Sequence, residues 1–180
     1  QNHDKRYRIP VIMARSDSFF IRADVTETAV DTYFQSSIDL GAYVDALGKS
    51  VLRIHNIAVS FTDGNGRSPD MGAASAGAAQ FQLVTQSQGD IVLPSNRAII
   101  SSGLVNSYAP YAGVASSTSE SFDNVPQLWT NGYLIAVDQI FLGVSASTAF
   151  TDDVTSSVVM ECTVETMTQA AAMALALSKQ

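Results

Sequence analysis

A chain of 180 residues is long enough to bury one sizeable core and too short for two comfortable domains. Hydrophobic residues reach 46% while charged residues are only 15%, against ~25% in ordinary soluble domains, a profile that excludes disorder, collagen and coiled coil. The net charge of −7 is unevenly placed: residues 1–22 hold Lys5, Arg6, Arg8, Arg15 and Arg22 against Asp4 and Asp17, a surplus of +3, and residues 23–180 carry −10.

Residues 1–10 are polar, basic and without periodicity, and they end on Pro10, which favours extended backbone before it; they are read as an arm. Val11 to Ala14 and Ser18 to Asp24 are short apolar runs rich in β-branched and aromatic residues, the composition of strands. From Val25 to Leu47 strand-like pieces mix with an apolar spacing at Ile38, Tyr43, Val44 and Leu47 that also suits a short helix, and the stretch is open between the two. Val51 to Thr62 is the clearest long strand. Val51, Ile57, Val59 and Phe61 share one parity while Leu52 and Ile54 take the other, which predicts a bulge near His55 or burial on both faces. Asp63-Gly64-Asn65-Gly66 ends it as a hairpin turn.

Met71 to Ala79 is small-residue sequence, expected as an exposed excursion, loop or weak helical turn. Phe81 to Thr85 and Ile91 to Leu93 flank Ser87-Gln88-Gly89-Asp90 as a hairpin, and Ala98 to Ile100 reads as a short strand. Pro110 to Asn124 has the length and Ser/Thr content of a long functional loop. Tyr133 to Leu142 and Val154 to Glu165 are two more strands, expected as a terminal hairpin through Ser145 to Asp153. Thr166 or Thr168 can cap a helix over Ala170 to Leu177, too short to stand alone in water, so it should dock. Seven to nine strands at roughly ten-residue spacing define an all-β sandwich or barrel. The expected organisation is an extended arm over 1–10, a β-sandwich over 11–165, and a C-terminal helix and tail over 166–180.

Chemistry is sparse. Only His3 and His55 are available for imidazole ligation, with no His-x-His of a cupin, so no metal site is expected and His55 is read as a structural, hydrogen-bonded residue. There is no Gly-x-Ser-x-Gly elbow, and the glycines at 64 and 66 lack the spacing and the Lys-Ser/Thr ending of a phosphate loop. With four glutamates and no aromatic cluster, no catalytic carboxylate pair stands out. Asp63, Asn65 and Asp70 begin like a calcium loop, but Ser68 and Ala74 occupy the positions of its glycine and its bidentate acid; Asp152-Asp153 is a second weak calcium candidate. Trp129 reads as a core or interface anchor, and the lone Cys162 alternates with Val158, Met160 and Val164 as an inert core thiol. No run approaches the ~18 apolar residues of a membrane span, and Gln1 in place of a methionine leaves a processed leader open. No enzyme activity, cofactor or small-molecule substrate is expected.

Lys5, Arg6 and Arg8 are the residues with a mechanism attached. They can neutralise phosphates of nucleic acid or lipid headgroups, or meet the acidic body of a neighbouring copy. Together with strands such as Leu134 to Leu142 and Val154 to Glu165, this arm makes the chain resemble small single jelly-roll coat proteins of icosahedral viruses, an architectural resemblance that covers most of the chain. It implies a self-assembling homo-oligomeric subunit of a virion shell, with copies of itself as partners, a second coat protein left open, and an arm that reaches a neighbour, the genome or an internal membrane. The alternatives are a carbohydrate-binding or adhesin module using the Ala109 to Asp123 loop, and an extracellular filament subunit whose arm donates a strand to the next copy.

Overall fold

Where the sequence alternates most strongly the chain is extended. The computed structural model describes residues 15–28, 31–45, 49–69, 75–111, 114–119, 127–147 and 149–178. Among these are nine strands and one helix: β1 (Phe19–Glu27), β2 (Phe34–Asp39), β3 (Ser50–Thr62), β4 (Ser75–Val84), β5 (Ile99–Tyr111), β6 (Val114–Ser119), β7 (Gln127–Ile135), β8 (Gln139–Ala146), β9 (Val154–Thr166) and α1 (Gln169–Ser178). The arm residues 1–10 and the expected strand Val11 to Ala14 lie outside the described residues.

The strands form two antiparallel sheets, in the orders β1-β9-β3-β7 and β2-β8-β4-β5-β6. Their pairing is nested: β1 pairs with β9, β2 with β8, β3 with β7, and β4 with β5 closes the nest. The chain is thus one long ribbon with its tip between β4 and β5, and successive rungs of it fall in alternate sheets. A ribbon wound in this way is a jelly roll, a two-layer sandwich around one core. β6 adds to the free edge of β5. Phe61 from one sheet and Phe81 from the other meet edge to face in the middle, with ring centroids 6.0 Å apart.

In β3 the change of parity has both expected causes. Its pairing with β9 slips between Ile54 and Asn56, so His55 is the extra residue of a bulge. Leu52 and Ile54 before the bulge, and Ile57, Val59 and Phe61 after it, all point into the core. Val51 points the other way and is fully buried as well, beneath α1.

Local pairing was over-expected. The Asp63 turn is real, since Asp63 Oδ1 accepts from the amides of Asn65 and Arg67 at 2.8 Å, but it carries the chain from one sheet to the other instead of closing a hairpin. The small residues from 75 to 79 are the start of β4, with Ala79 fully buried, and not an excursion. No strand forms at Ile91 to Leu93. There the buried Gln82 side chain holds the backbone, donating to Asp90 O and accepting from the Val92 amide, each at 2.9 Å. The expected strand Tyr133 to Leu142 is two strands in different sheets, broken at 136–138, where the Leu40 amide donates to Asp138 O at 2.7 Å. β8 and β9 likewise lie in opposite sheets, so the terminal hairpin does not exist. Much of the Pro110 to Asn124 loop is strand: Tyr111 ends β5 and residues 114–119 pair back on it as β6.

Cys162 sits fully buried on the inner face of β9, as expected. Burial, with Glu161 adding to it, pushes its thiol up to about 12. Iodoacetamide at pH 8 should therefore label the native chain about a hundredfold or more slower than the urea-unfolded chain; comparable rates would place the thiol at the surface.

Candidate assembly face

The outer face of the β1-β9-β3-β7 sheet concentrates the features that packing within one chain leaves unexplained. Phe20, Glu161, Asn56 and Leu128 form a row across its four strands, set by the pairings Phe20 with Glu161, Glu161 with Asn56, and Asn56 with Leu128. The two polar residues join at the centre, Asn56 Nδ2 donating to Glu161 Oε2 at 2.7 Å. The two apolar ends stand in solvent, Phe20 at 54% and Leu128 at 72% exposure. Arg22 lies over the Phe20 ring at 5.5 Å.

One end of this face is covered by α1. Thr168 caps the helix, accepting from the Ala171 amide at its Oγ1 and from the Ala172 amide at its carbonyl. Ala172 packs on Val51 of β3 and on Ala136, with Leu134, Met167, Leu175 and Ala176 around them. The helix contains no charged residue. Since it docks along one side only, Met173 and Leu177, one turn apart, remain 51% and 66% exposed.

Between the helix and the row lies a polar network. Arg53 donates Nε and Nη2 to the two oxygens of Glu165, at 2.6 and 2.8 Å, and Nη1 to the carbonyl of Asn131. Glu165 is buried, and Arg53 beside it holds its carboxyl below the usual carboxylate range against the opposing effect of burial. Arg15 approaches the same carboxylate at 3.8 Å and donates to His55 Nε2 at 2.7 Å, and His55 in turn lies 2.9 Å from Thr163 Oγ1. Arg15 also bridges to Glu165 through the backbone, and Ser16 is clamped to Val164 in both directions, its amide donating to Val164 O and its Oγ accepting from the Val164 amide. The chain that leads from the basic segment therefore enters the sandwich on this face.

Lys5, Arg6 and Arg8 lie outside the described residues, so the structure does not place the arm contacts. His55 is the hydrogen-bonded residue expected, though its partners come from segments far away in sequence. Trp129 packs partly buried against the core beside Tyr133, with ring centroids 5.9 Å apart. The fold brings two weak calcium candidates together: Asp63, Gly64 and Asn65 line one open depression with Thr151, Asp152 and Asp153. Asp70 lies outside the described residues, and no group of three or more His, Cys, Asp or Glu among the described residues is arranged to hold a metal ion. Sequence reasoning missed the Arg53–Glu165 pair and the Phe20 to Leu128 row. Outward alternation of Arg53 and Glu165 in their strands was visible, but their adjacency depends on the register of β3 on β9.

The molecule is a jelly-roll β-sandwich by its strand order, and its similarity to viral coat proteins is structural. One similar solved structure is VP1 of the Trichodysplasia spinulosa-associated polyomavirus in complex with GM1 oligosaccharide, with a TM-score of 0.45 and 7% identity over 84% of this chain and 95% of that one. Turnip yellow mosaic virus gives a TM-score of 0.32 and 9% identity over 84% of this chain and 96% of that one. The human norovirus GI.7 virus-like particle gives 0.35 and 9% over 83% of this chain and 32% of that one. No protein-family model matches the sequence, and no curated protein matches it.

Proposed function

We propose that this chain is a structural, non-enzymatic, self-assembling subunit, the coat protein of a virion shell. The observation that carries the reading is the outer sheet face. A charge-free helix docked along one side only, with Met173 and Leu177 exposed at one end of the face and Phe20 and Leu128 exposed across it, is what a surface buried against further copies requires. A chain with 15% charged residues suits extensive burial of this kind, because interface cores are depleted of charge. The jelly roll is a scaffold shared by coat proteins, lectins and cupins. The cupin reading lacks its histidines. Lys5, Arg6 and Arg8 then reach a neighbouring copy, the genome or a membrane, and the protein resides in the virion.

Concentrated purified protein should form closed particles, seen by electron microscopy and light scattering. Met173→Glu with Leu177→Glu should leave the β-sheet circular dichroism intact and raise the critical concentration for assembly about tenfold or more per side chain, the effect of desolvating ~1.5–3 kcal/mol of apolar surface at each contact. A monomer at all concentrations would overturn the reading, and glycan binding by that monomer would favour the carbohydrate-binding alternative.

A further inference from the structure

The contact between Arg15 and His55 is chemically asymmetric. A guanidinium has only N–H donors, so its approach to His55 Nε2 at 2.7 Å requires that nitrogen to be unprotonated and the ring to be neutral, with its proton on Nδ1. Thr163 Oγ1 lies 2.9 Å from the same Nε2, and a hydroxyl can either donate or accept. Two arrangements are therefore built in. In the neutral state Nε2 accepts from Arg15. In the protonated state Nε2–H has an acceptor waiting in Thr163, while Arg15 loses its acceptor and faces a second cation.

The charged and polar groups around the ring come from every neighbouring element. Arg15 lies at the entry of the leading segment, Arg53 and Asn56 on β3, Glu161, Thr163 and Glu165 on β9, and Thr130 and Asn131 on β7. Glu161 and Glu165 favour a proton on His55 but are already engaged by Asn56 and Arg53. Burial first, then Arg15 and Arg53, oppose it, and together they hold the imidazole below its ordinary value. Among the described residues, Arg15 is otherwise held to the sheet by the backbone bridge to Glu165, the longer ion pair with it, and the Ser16–Val164 clamp next to it.

We propose that His55 is an acid-operated latch on Arg15 and Ser16: uptake of a proton at Nε2 expels Arg15 and opens the Ser16–Val164 clamp. The latch makes opening of the clamp a response to acidification, and acts through a histidine because that side chain alone changes charge between about pH 5 and 8 without other perturbation.

The test is amide hydrogen exchange of the full chain, expressed as protection relative to intrinsic rates, from pH 7.5 to 5. Protection of the Ser16 and Val164 amides should fall about tenfold or more as the pH drops below 6.5, while Ile57 and Met160 in the central ladder keep theirs. His55→Gln, whose amide oxygen still accepts from Arg15 and does not titrate, should keep the clamp closed throughout. If the clamp amides keep their protection at pH 5, or if His55→Gln loses it as the parent does, the proposal fails. Equal loss in the central ladder would also overturn it, since that is acid unfolding. Independently of any His55 variant, Arg15→Gln should raise the titration midpoint of the His55 ring in NMR relative to the parent; an unmoved midpoint overturns the latch.

Discussion

Replacing Arg53 with methionine is expected to lower the unfolding free energy at pH 7 by about 3 kcal/mol, because it leaves the buried Glu165 carboxylate without its two-pronged partner. Methionine keeps the aliphatic stem, so the loss reports the ion pair rather than a hole. Arg15, at 3.8 Å, keeps the effect at the low end of what an orphaned buried charge costs. For a chain of this size the melting temperature should fall by roughly 6–12 °C. Adding Glu165→Gln to Arg53→Met should recover much of the loss, since a neutral amide is cheaper to bury unpaired than a carboxylate.

The pH dependence has a definite sign. The Glu165 carboxyl is held below its ordinary value near 4.5, so its contribution is full above that pH and is lost as the pH falls through the depressed folded value. The parent and Arg53→Met should therefore converge in stability in acid. Glu27 works in the opposite direction. It is buried at the end of β1, accepts from the Ala146 amide, and is raised chiefly by burial, with Asp31 and Asp153 adding to the rise. Its contribution is present in acid and is lost as the pH rises through its folded value, so Glu27→Gln should help most at neutral pH. A chemical-denaturation series from pH 3 to 8 separates the two; parallel curves for parent and Arg53→Met throughout would refute the role of the pair.

Gly143→Ala is expected to cost about 3 kcal/mol, although glycine to alanine in a strand is ordinarily favourable. A Cβ at Gly143 would overlap the ring and hydroxyl of Tyr33, which lies across β8. That hydroxyl donates to Gln35 Oε1 at 3.0 Å and accepts from Gln82 Nε2 at 2.9 Å, and Gln82 is the fully buried side chain that holds residues 90–92. Displacing Tyr33 adds an overpacking cost of ~1–3 kcal/mol to the weakening of a buried amide's bonds, ~1–3 kcal/mol. In a Tyr33→Ala background the same substitution should cost little, a coupling of about 2 kcal/mol in a double-mutant cycle. An equal cost in both backgrounds would show that Tyr33 is not the obstacle.

How far the fold was legible differs from element to element. The parity change in Val51 to Thr62 predicted a bulge near His55 or burial on both faces, because side-chain alternation has a period of two and tolerates one slip only at an inserted residue. Thr166 or Thr168 with the alanine-leucine run predicted α1 because capping and propensity act within a few residues, and the structure selects Thr168. The hairpins expected at Asp63 to Gly66 and at Ser145 to Asp153 failed for one reason. A turn such as Asp63 to Gly66 specifies that the chain reverses, yet whether the next strand returns beside its predecessor or crosses to the facing sheet is settled by what else occupies the edge. Here β9 fills the place beside both β1 and β3.

The candidate face divides along the same line. Its ingredients were readable in advance: low charge, an apolar helix that had to dock, and a histidine read as structural and hydrogen-bonded. Its assembly was not, since Arg15 meets His55, and Arg53 meets Glu165, only through pairings that span most of the chain. The sequence by itself determined that the long alternating runs such as Val51 to Thr62 and Val154 to Glu165 are strands, that a helix follows them and that Cys162 faces the core, all consequences of periodicity and short-range propensity. Only the tertiary structure decided the nested pairing, the split of Tyr133 to Leu142 between two sheets, and the polar network around His55. Those depend on which distant strand wins each edge, a competition resolved by burying one shared core and not by any residue's neighbours in sequence.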